Sequence, residues 1–390
     1  MKVYFDNSAT TKLHPQVLQA MIPYLTDNFG NPSSIHSLGN KAKVAIENSR
    51  EIIANFINAD ASEIYFTSGG SEANNFCIRG IAQTEFYETN RKNIVTTSIE
   101  HPSILKTFDY LKSQGFITDI VSVDEKFQLD EKKISELSGT SVSLLSVMYV
   151  NNETGSINDI EKINNLTDNN IFIHTDAVQA FGKIKIDVKK LGVDALSASA
   201  HKIYGPKGIG FAYVKNGTPL NSLIFGGGQE RNRRAGTENV ASIVGFAEAV
   251  KLAKEKMDDN FTKVEKLKNY FVKILNNKVK NISFNQPIIQ SSEEFYRHLP
   301  YVLSITFSPK YYNVDTEAML ILLDINGIAA SNGSACSSGT IKPSHVIMAS
   351  GKSKEYANGT LRFSFSPENN FEEIDYTINV LKEIAEKFKR

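Results

Sequence analysis

Cysteine is scarce: Cys77 and Cys336 are the only two in 390 residues. Two are too few for a disulfide framework, a four-cysteine zinc site or an iron–sulfur site. No metal is therefore expected, and the thiols are expected to be reduced, as in the cytoplasm. Charge of one sign is also lacking, because 43 Lys and Arg balance 43 Asp and Glu. Such a chain is not expected to carry a dedicated nucleic-acid surface or a polybasic membrane surface. No apolar run approaches the ~20 residues needed to cross a bilayer. The opening "MKVYFDNSATT" has a lysine but no apolar core, so it does not read as a secretory signal. Internal repeats and low-complexity linkers are missing too. What remains is a composition of 41% hydrophobic and 22% charged residues, ordinary for a globular protein. A length of 390 residues favours more than one domain.

From about residue 60 to 215, short β-branched runs alternate with helical patterns. "EIYFTSGG" (63–70), "NIVTTSIEH" (93–101), "SVSLLSVMYVNNETG" (141–155), "IFIHTDAVQ" (171–179), "DALSASAHK" (194–202) and "GIGFAYV" (208–214) read as strands. The third is nearly continuous in apolar residues, as a strand buried on both faces should be. Strands alternating with helices imply a mostly parallel sheet. A helical stretch from about Thr237 to Asn276 carries Val264, Leu267, Phe271, Ile274 and Leu275 at helical spacing and reads as a connector between domains. After it come strands at 301–307 and 360–366, a helix at 316–327 and an amphipathic final helix, the pattern of a smaller α+β domain. The N-terminal residues are expected to pack against that domain or its interface.

In open α/β sheets, ligands sit beyond the carboxyl ends of the strands. The residues that follow the strands here are polar: Ser68 to Glu72, Glu100 with His101, Asn151 to Glu153, Asp176 with Gln179, and Ser199 to Lys202. "TSGGSEANN" puts Gly-Gly-Ser at a helix start, where free N–H groups and the helix dipole favour an anion. It is neither a Walker motif nor a dinucleotide fingerprint. "SASAHKIYGPKGIG" (197–210) is more specific, because lysine is rarely placed at a buried strand end without a task. A desolvated lysine has a lowered pKa and can form a Schiff base. Enzymes that use pyridoxal phosphate (PLP) need such a lysine and an aspartate on the pyridine nitrogen, and Lys202 and Asp176 meet both needs.

The chain resembles a NifS/IscS-type cysteine desulfurase of the class V aminotransferase family. The resemblance runs through "YFDNSATT", "FGNPSSIH", "FTSGGSEANN", "EHPS", "VNNETG", "HTDAVQ", "SAHKIYGPKGIG", "RRAGTENV", "NGSACSSG" and "LRFS". It implies PLP fold type I: a large α/β domain (15–258) with a mostly parallel seven-stranded sheet flanked by helices. A smaller α+β domain (1–14 and 259–390) would carry the catalytic cysteine loop at about 331–340. By the same resemblance, Lys202 is the Schiff-base lysine and proton shuttle, and Asp176 the pyridine-nitrogen partner. Gln179 and Asn152 bond the phenolic oxygen and orient substrate, and His101 stacks on the ring and handles the thiol proton. Gly70, Ser71, Ser199 and His201 form the phosphate cup, where many relatives have Thr in place of Ser71. Thr237 is donated to the cup of a partner subunit, which implies a homodimer. Arg362 clamps the substrate carboxylate, and Asn7 and His36 line the entrance. Cys77 reads as a small core residue, and His174 has no assignment.

The resemblance implies removal of sulfur from L-cysteine to give L-alanine and a Cys336 persulfide. Sulfur would then pass to an acceptor protein for iron–sulfur cluster assembly or for tRNA or cofactor thiolation. Cys336 lies in "SNGSACSSG", a Gly- and Ser-rich setting suited to a thiol that meets both cofactor and acceptor. A selenocysteine lyase, a cysteine sulfinate desulfinase of the same fold, or a sulfur-relay partner with slow free turnover are the alternatives. Replacing Cys336 with Ala should leave the yellow cofactor absorbance intact and stop sulfide release from cysteine. Turnover with dithiothreitol near the wild-type rate would remove Cys336 from the nucleophile's role.

Overall fold

The structure, a computed structural model, describes residues 1–137, 141–286, 298–333 and 342–390. Its twelve described strands are β1 (Val3–Tyr4), β2 (Ile64–Thr67), β3 (Asn93–Thr97), β4 (Ile117–Val121), β5 (Val142–Ser146), β6 (Phe172–Asp176), β7 (Ala195–Ser199), β8 (Gly210–Val214), β9 (Ile282–Phe284), β10 (Val302–Phe307), β11 (Ile328–Ala329) and β12 (Thr360–Ser364). Seven form one sheet in the order β2-β8-β7-β6-β5-β3-β4. It is parallel from β7 to β4, and β8 runs antiparallel to both of its neighbours. Every residue of β5, β7 and β8 is buried, because helices cover both faces.

On one face the helix Gly70–Thr89 packs Ala73, Phe76, Cys77 and Ile81 toward Leu144, Ala195 and Ala212. On the other, Phe181, Phe211 and Phe246 pack with ring centroids 5.2–5.8 Å apart. Phe246 belongs to the helix Val240–Lys278, whose 39 residues span about 58 Å. Farther along that helix, Phe271 meets Phe363 of β12. One helix therefore serves the cores of both sheets.

The second sheet is antiparallel, in the order β12-β10-β9. The N-terminal strand β1 pairs in parallel with β11. Phe5, fully buried, stands edge-on to Phe271, Phe363 and Phe365 at 5.2–6.3 Å. Residues beyond Phe5 then run toward the large sheet. Thr11 N–H donates to the His201 carbonyl at 2.9 Å, and Tyr204 N–H donates to Thr11 Oγ1 at 2.7 Å. The N-terminal segment thus stitches the two sheets together beside the ends of β6 and β7.

β4 is absent from the sequence-based strand pattern. It is an edge strand with Ile117 and Ile120 about half exposed, so it lacks the apolar signature of its neighbours. Conversely, the apolar run at 141–155 forms a strand only to Ser146 and then turns into the cleft. Removing the Phe5 ring should cost about 3–5 kcal/mol, the usual range for an aromatic core truncation. Urea denaturation of Phe5→Ala against Tyr87→Ala checks this, since Tyr87 is 89% exposed and its loss should be nearly neutral.

Candidate active site

A cleft of about 500 Å³ opens at the carboxyl ends of β3, β5, β6 and β7, closed on the far side by the N-terminal segment and β12. β3 and β5 are neighbours, yet the chain leaves them toward opposite sides of the sheet. That is the switch point where a doubly wound sheet leaves room for a ligand. His101 follows β3 and Asn152 follows β5, and both line the cleft.

Lys202 ends a short 3₁₀ turn, Ala200–Lys202, directly after β7. Its Nζ donates to the carbonyls of Ser8 at 2.5 Å and Ala9 at 2.7 Å. Carbonyl dipoles hold the ammonium less strongly than a carboxylate would. Burial, and the charge of Arg362, push its pKa down to about 8, against the opposing pull of Asp6 and Asp176. Asp176 ends β6, nearly buried, and its two oxygens accept from Asn74 Nδ2 at 2.8 Å and Val178 N–H at 2.9 Å. Each oxygen keeps a lone pair for a further donor.

A hydrogen-bonded chain joins Asp176 to His101. Asn74 Nδ2 also donates to Ser103 Oγ at 2.9 Å, and Ser103 Oγ lies 2.8 Å from His101 Nδ1. Ser103 N–H donates to the same Nδ1 at 3.1 Å, because His101 caps the helix Pro102–Ser113. Nδ1 is thus an acceptor, and the ring's proton belongs on Nε2. Burial lowers the His101 pKa and Lys202 reinforces this, so the ring is neutral at pH 7 despite Asp176. Neighbouring Glu100 is fully buried, with Oε1 accepting from Thr97 Oγ1 at 2.7 Å and Met148 N–H at 2.8 Å. Burial pushes its pKa up to about 8, so it holds its proton at pH 7.

Arg362 of β12 is 4% exposed. Its Nη2 donates to Asp6 Oδ1 at 2.7 Å and its Nη1 to the Asn152 carbonyl at 2.9 Å, while Nε has no partner among the described residues. Asp6 therefore holds one arm of the guanidinium fork. A connected hollow of about 410 Å³ is lined by Ser68 to Ser71, Ser199, His201 and Lys207. Gly69 has φ +151°, a conformation for glycine, and a Cβ on Gly70 would come within 2.7 Å of Val178. These glycines bring the amino end of the helix Gly70–Thr89 against the cleft. Burial and Lys202 hold His201 at a pKa of about 4, so it enters the hollow neutral.

Gln179 lines the cleft with its amide in use: Nε2 donates to the Ser8 carbonyl and Oε1 accepts from Lys183, each at 3.0 Å. Asn7 lies outside the cleft. Its Nδ2 donates to the Ser364 carbonyl at 2.9 Å, and the residue lines a separate cavity behind Lys202. His36 is exposed and caps the helix Ser37–Phe56 through Gly39 N–H. Thr237 is exposed and does not line this chain's cleft. Cys336 lies outside the described residues. Cys77 is buried, its thiol pKa raised to about 12 by burial. His174 is buried between Ser146 and Ser197. Sequence reasoning did not single out Asn74, Ser103 or Asp6, although each lies within a motif it used.

The donor set suits PLP. An amine of lowered basicity shares the cleft with a buried carboxylate, and an anion hollow built from a helix amino end and serine hydroxyls adjoins them. Together with the mostly parallel sheet, they define a PLP enzyme of fold type I. More narrowly, the chain belongs to the class V aminotransferase family, whose family model matches residues 3–377. It is 43% identical over 387 residues to the cysteine desulfurase IscS of Clostridium botulinum, covering 99% of this chain and 95% of that protein. A solved NifS-like protein matches at TM-score 0.90 and 36% identity over the whole of both chains. SspA, solved in complex with cysteine, matches at TM-score 0.79 and 34% identity over 95% of this chain and 100% of that one.

A pKa near 8 leaves about a tenth of the Lys202 amine unprotonated at pH 7. Acylation of Lys202 in cofactor-free protein, followed by mass spectrometry, should rise with a midpoint near pH 8. A midpoint near that of an exposed lysine would contradict the electrostatics described.

Proposed function

We propose that this chain is a PLP-dependent cysteine desulfurase, which takes sulfur from L-cysteine, leaves L-alanine, and passes the sulfur through Cys336 to an acceptor protein. The observation that carries the reading is the Lys202 amine, held by two carbonyls rather than a carboxylate, in one cleft with Asp176, His101 and Arg362. The cysteine desulfurase relative and the cysteine complex of SspA support the choice of substrate.

Gly70, Ser71, Ser199 and His201 would hold the cofactor's phosphate, Asp176 its ring nitrogen, Gln179 and Asn152 its phenolic oxygen, and Lys202 its aldehyde carbon. When bound, the cofactor supplies an electron sink that loosens the Cα–H and Cβ–S bonds of the substrate. Lys202, with its amine free, would take the Cα proton of the substrate, a role a pKa of about 8 suits. Arg362 binds the substrate carboxylate, a task that guanidinium geometry favours. His101 presents a neutral ring with its proton on Nε2 and a hydrogen-bonded Nδ1, so its tautomer is fixed before substrate arrives. The Cys336 thiolate attacks the substrate sulfur. The S–S bond forms as the Cβ–S bond breaks, the electron pair of the broken bond stays on carbon, and a proton completes alanine.

On this reading the chain divides into a large domain (15–258) and a small one (1–14 and 259–390). It works in the cytoplasm as a homodimer, with Thr237 serving the partner's site. The exposure of Thr237, away from its own chain's cleft, supports that arrangement. Incubation with L-cysteine and a thiol reductant should release alanine and sulfide in equal amounts. Lys202→Ala should abolish both products and the cofactor's lysine-linked absorbance. Alanine formation by that variant at the wild-type rate would overturn the proposal, and a strong preference for selenocysteine or cysteine sulfinate would reassign the substrate.

A further inference from the structure

Lys183 stands behind the cleft and is not among the residues that sequence reasoning assigned to it. It is 6% exposed. Its Nζ donates to Gln179 Oε1 at 3.0 Å and lies 5.5 Å from the centre of the Tyr301 ring. The charges that act on it, Lys202 and Arg362, are both positive. Burial is the larger cause of a pKa lowered to about 7. Its far side opens on a cavity of about 270 Å³ that also touches Lys202, His14, Tyr204 and Glu368. A buried lysine acted on by two other cations costs stability, so its presence calls for a purpose.

The purpose follows from the chemistry of the amide. A glutamine side chain is symmetric in shape, so either end fits the same space. Its polarity is set by its neighbours. A charged lysine has only donors, so while Lys183 holds its proton the atom facing Nζ has to be the oxygen, and the Ser8 carbonyl, which can only accept, asks for the same orientation at the other end. Gln179 Nε2 then turns toward the Ser8 carbonyl at 3.0 Å, the same carbonyl that accepts from Lys202 at 2.5 Å. An NH₂ group has two hydrogens, and Ser8 takes one. The second remains for an acceptor in the cleft.

We propose that Lys183 is a positioning residue that, with the Ser8 carbonyl, holds the Gln179 amide as a donor toward the cleft, so that an anionic oxygen on the bound cofactor meets N–H rather than C=O. This rests on the functional reading above. A donor to that oxygen withdraws charge from it and makes the adjoining link to Lys202 easier to deprotonate. Removing the lock should therefore raise the pH at which the lysine-linked cofactor changes colour.

The test is a spectrophotometric pH titration of cofactor-loaded protein. Lys183→Met should raise the midpoint by about half a unit or more. Lys183→Gln, whose amide can turn either way, should do the same and serves if the Met variant does not fold. Lys183→Arg keeps a donor-only group and should leave the midpoint in place. In a Gln179→Ala background, Lys183→Met should add little or nothing. A wild-type midpoint in both Lys183→Met and Lys183→Gln overturns the inference. So does a Lys183→Met shift that persists in full without Gln179, because Lys183 would then act through its charge alone. Wild-type protein that forms no lysine-linked absorbance overturns the functional reading, and this inference with it.

Discussion

Two backbone carbonyls, those of Ser8 and Ala9, hold the Lys202 amine. Most of the cleft depends on that contact. A carboxylate in their place would stabilise the ammonium and keep it charged. Carbonyls fix its position while leaving burial and Arg362 free to lower its pKa. The carbonyls are in place because Phe5 anchors the N-terminal segment among Phe271, Phe363 and Phe365, and because Thr11 is bonded to His201 and Tyr204. An apolar cluster in the smaller sheet thus tunes an amine at the end of the larger one.

The cleft's polar groups are organised in relays rather than as single residues. Asp176, Asn74, Ser103 and His101 form one, and Lys183, Gln179, Ser8 and Lys202 form another. In the first, a carboxylate at one end and a helix cap at the other orient an amide, a hydroxyl and an imidazole. Such networks are rigid when satisfied and costly when broken. Glu100, protonated by burial, adds a hydrogen-bonded brace between the ends of β3 and β5 without adding charge beside Asp176.

The central strands were legible in the sequence because burial on both faces leaves a run of apolar residues that ends abruptly in polar ones. Lys202 and Asp176 stood out for the same reason. β4 was not legible, because an edge strand with exposed Ile117 and Ile120 obeys no such pattern. Asn74 and Ser103 lay in quoted motifs, yet nothing in their spacing says that they meet across 29 residues of chain. Asn7 and Asp6 are adjacent and polar, and only the turn of the backbone decides which of them faces the cleft. The Asp6–Arg362 pair, like the Lys183–Gln179 contact, is a tertiary fact that periodicity cannot encode.

The N-terminal segment also sets an order of assembly. Asn7 bonds the Ser364 carbonyl across 357 residues, and β1 waits for β11. Val3 and Asn7 thus pair with residues made long after them. Until the chain has been made beyond residue 364, Lys202 lacks the carbonyls that restrain it and the cleft lacks a wall. The setting that lowers the basicity of Lys202 therefore depends on contacts between residues far apart in the sequence.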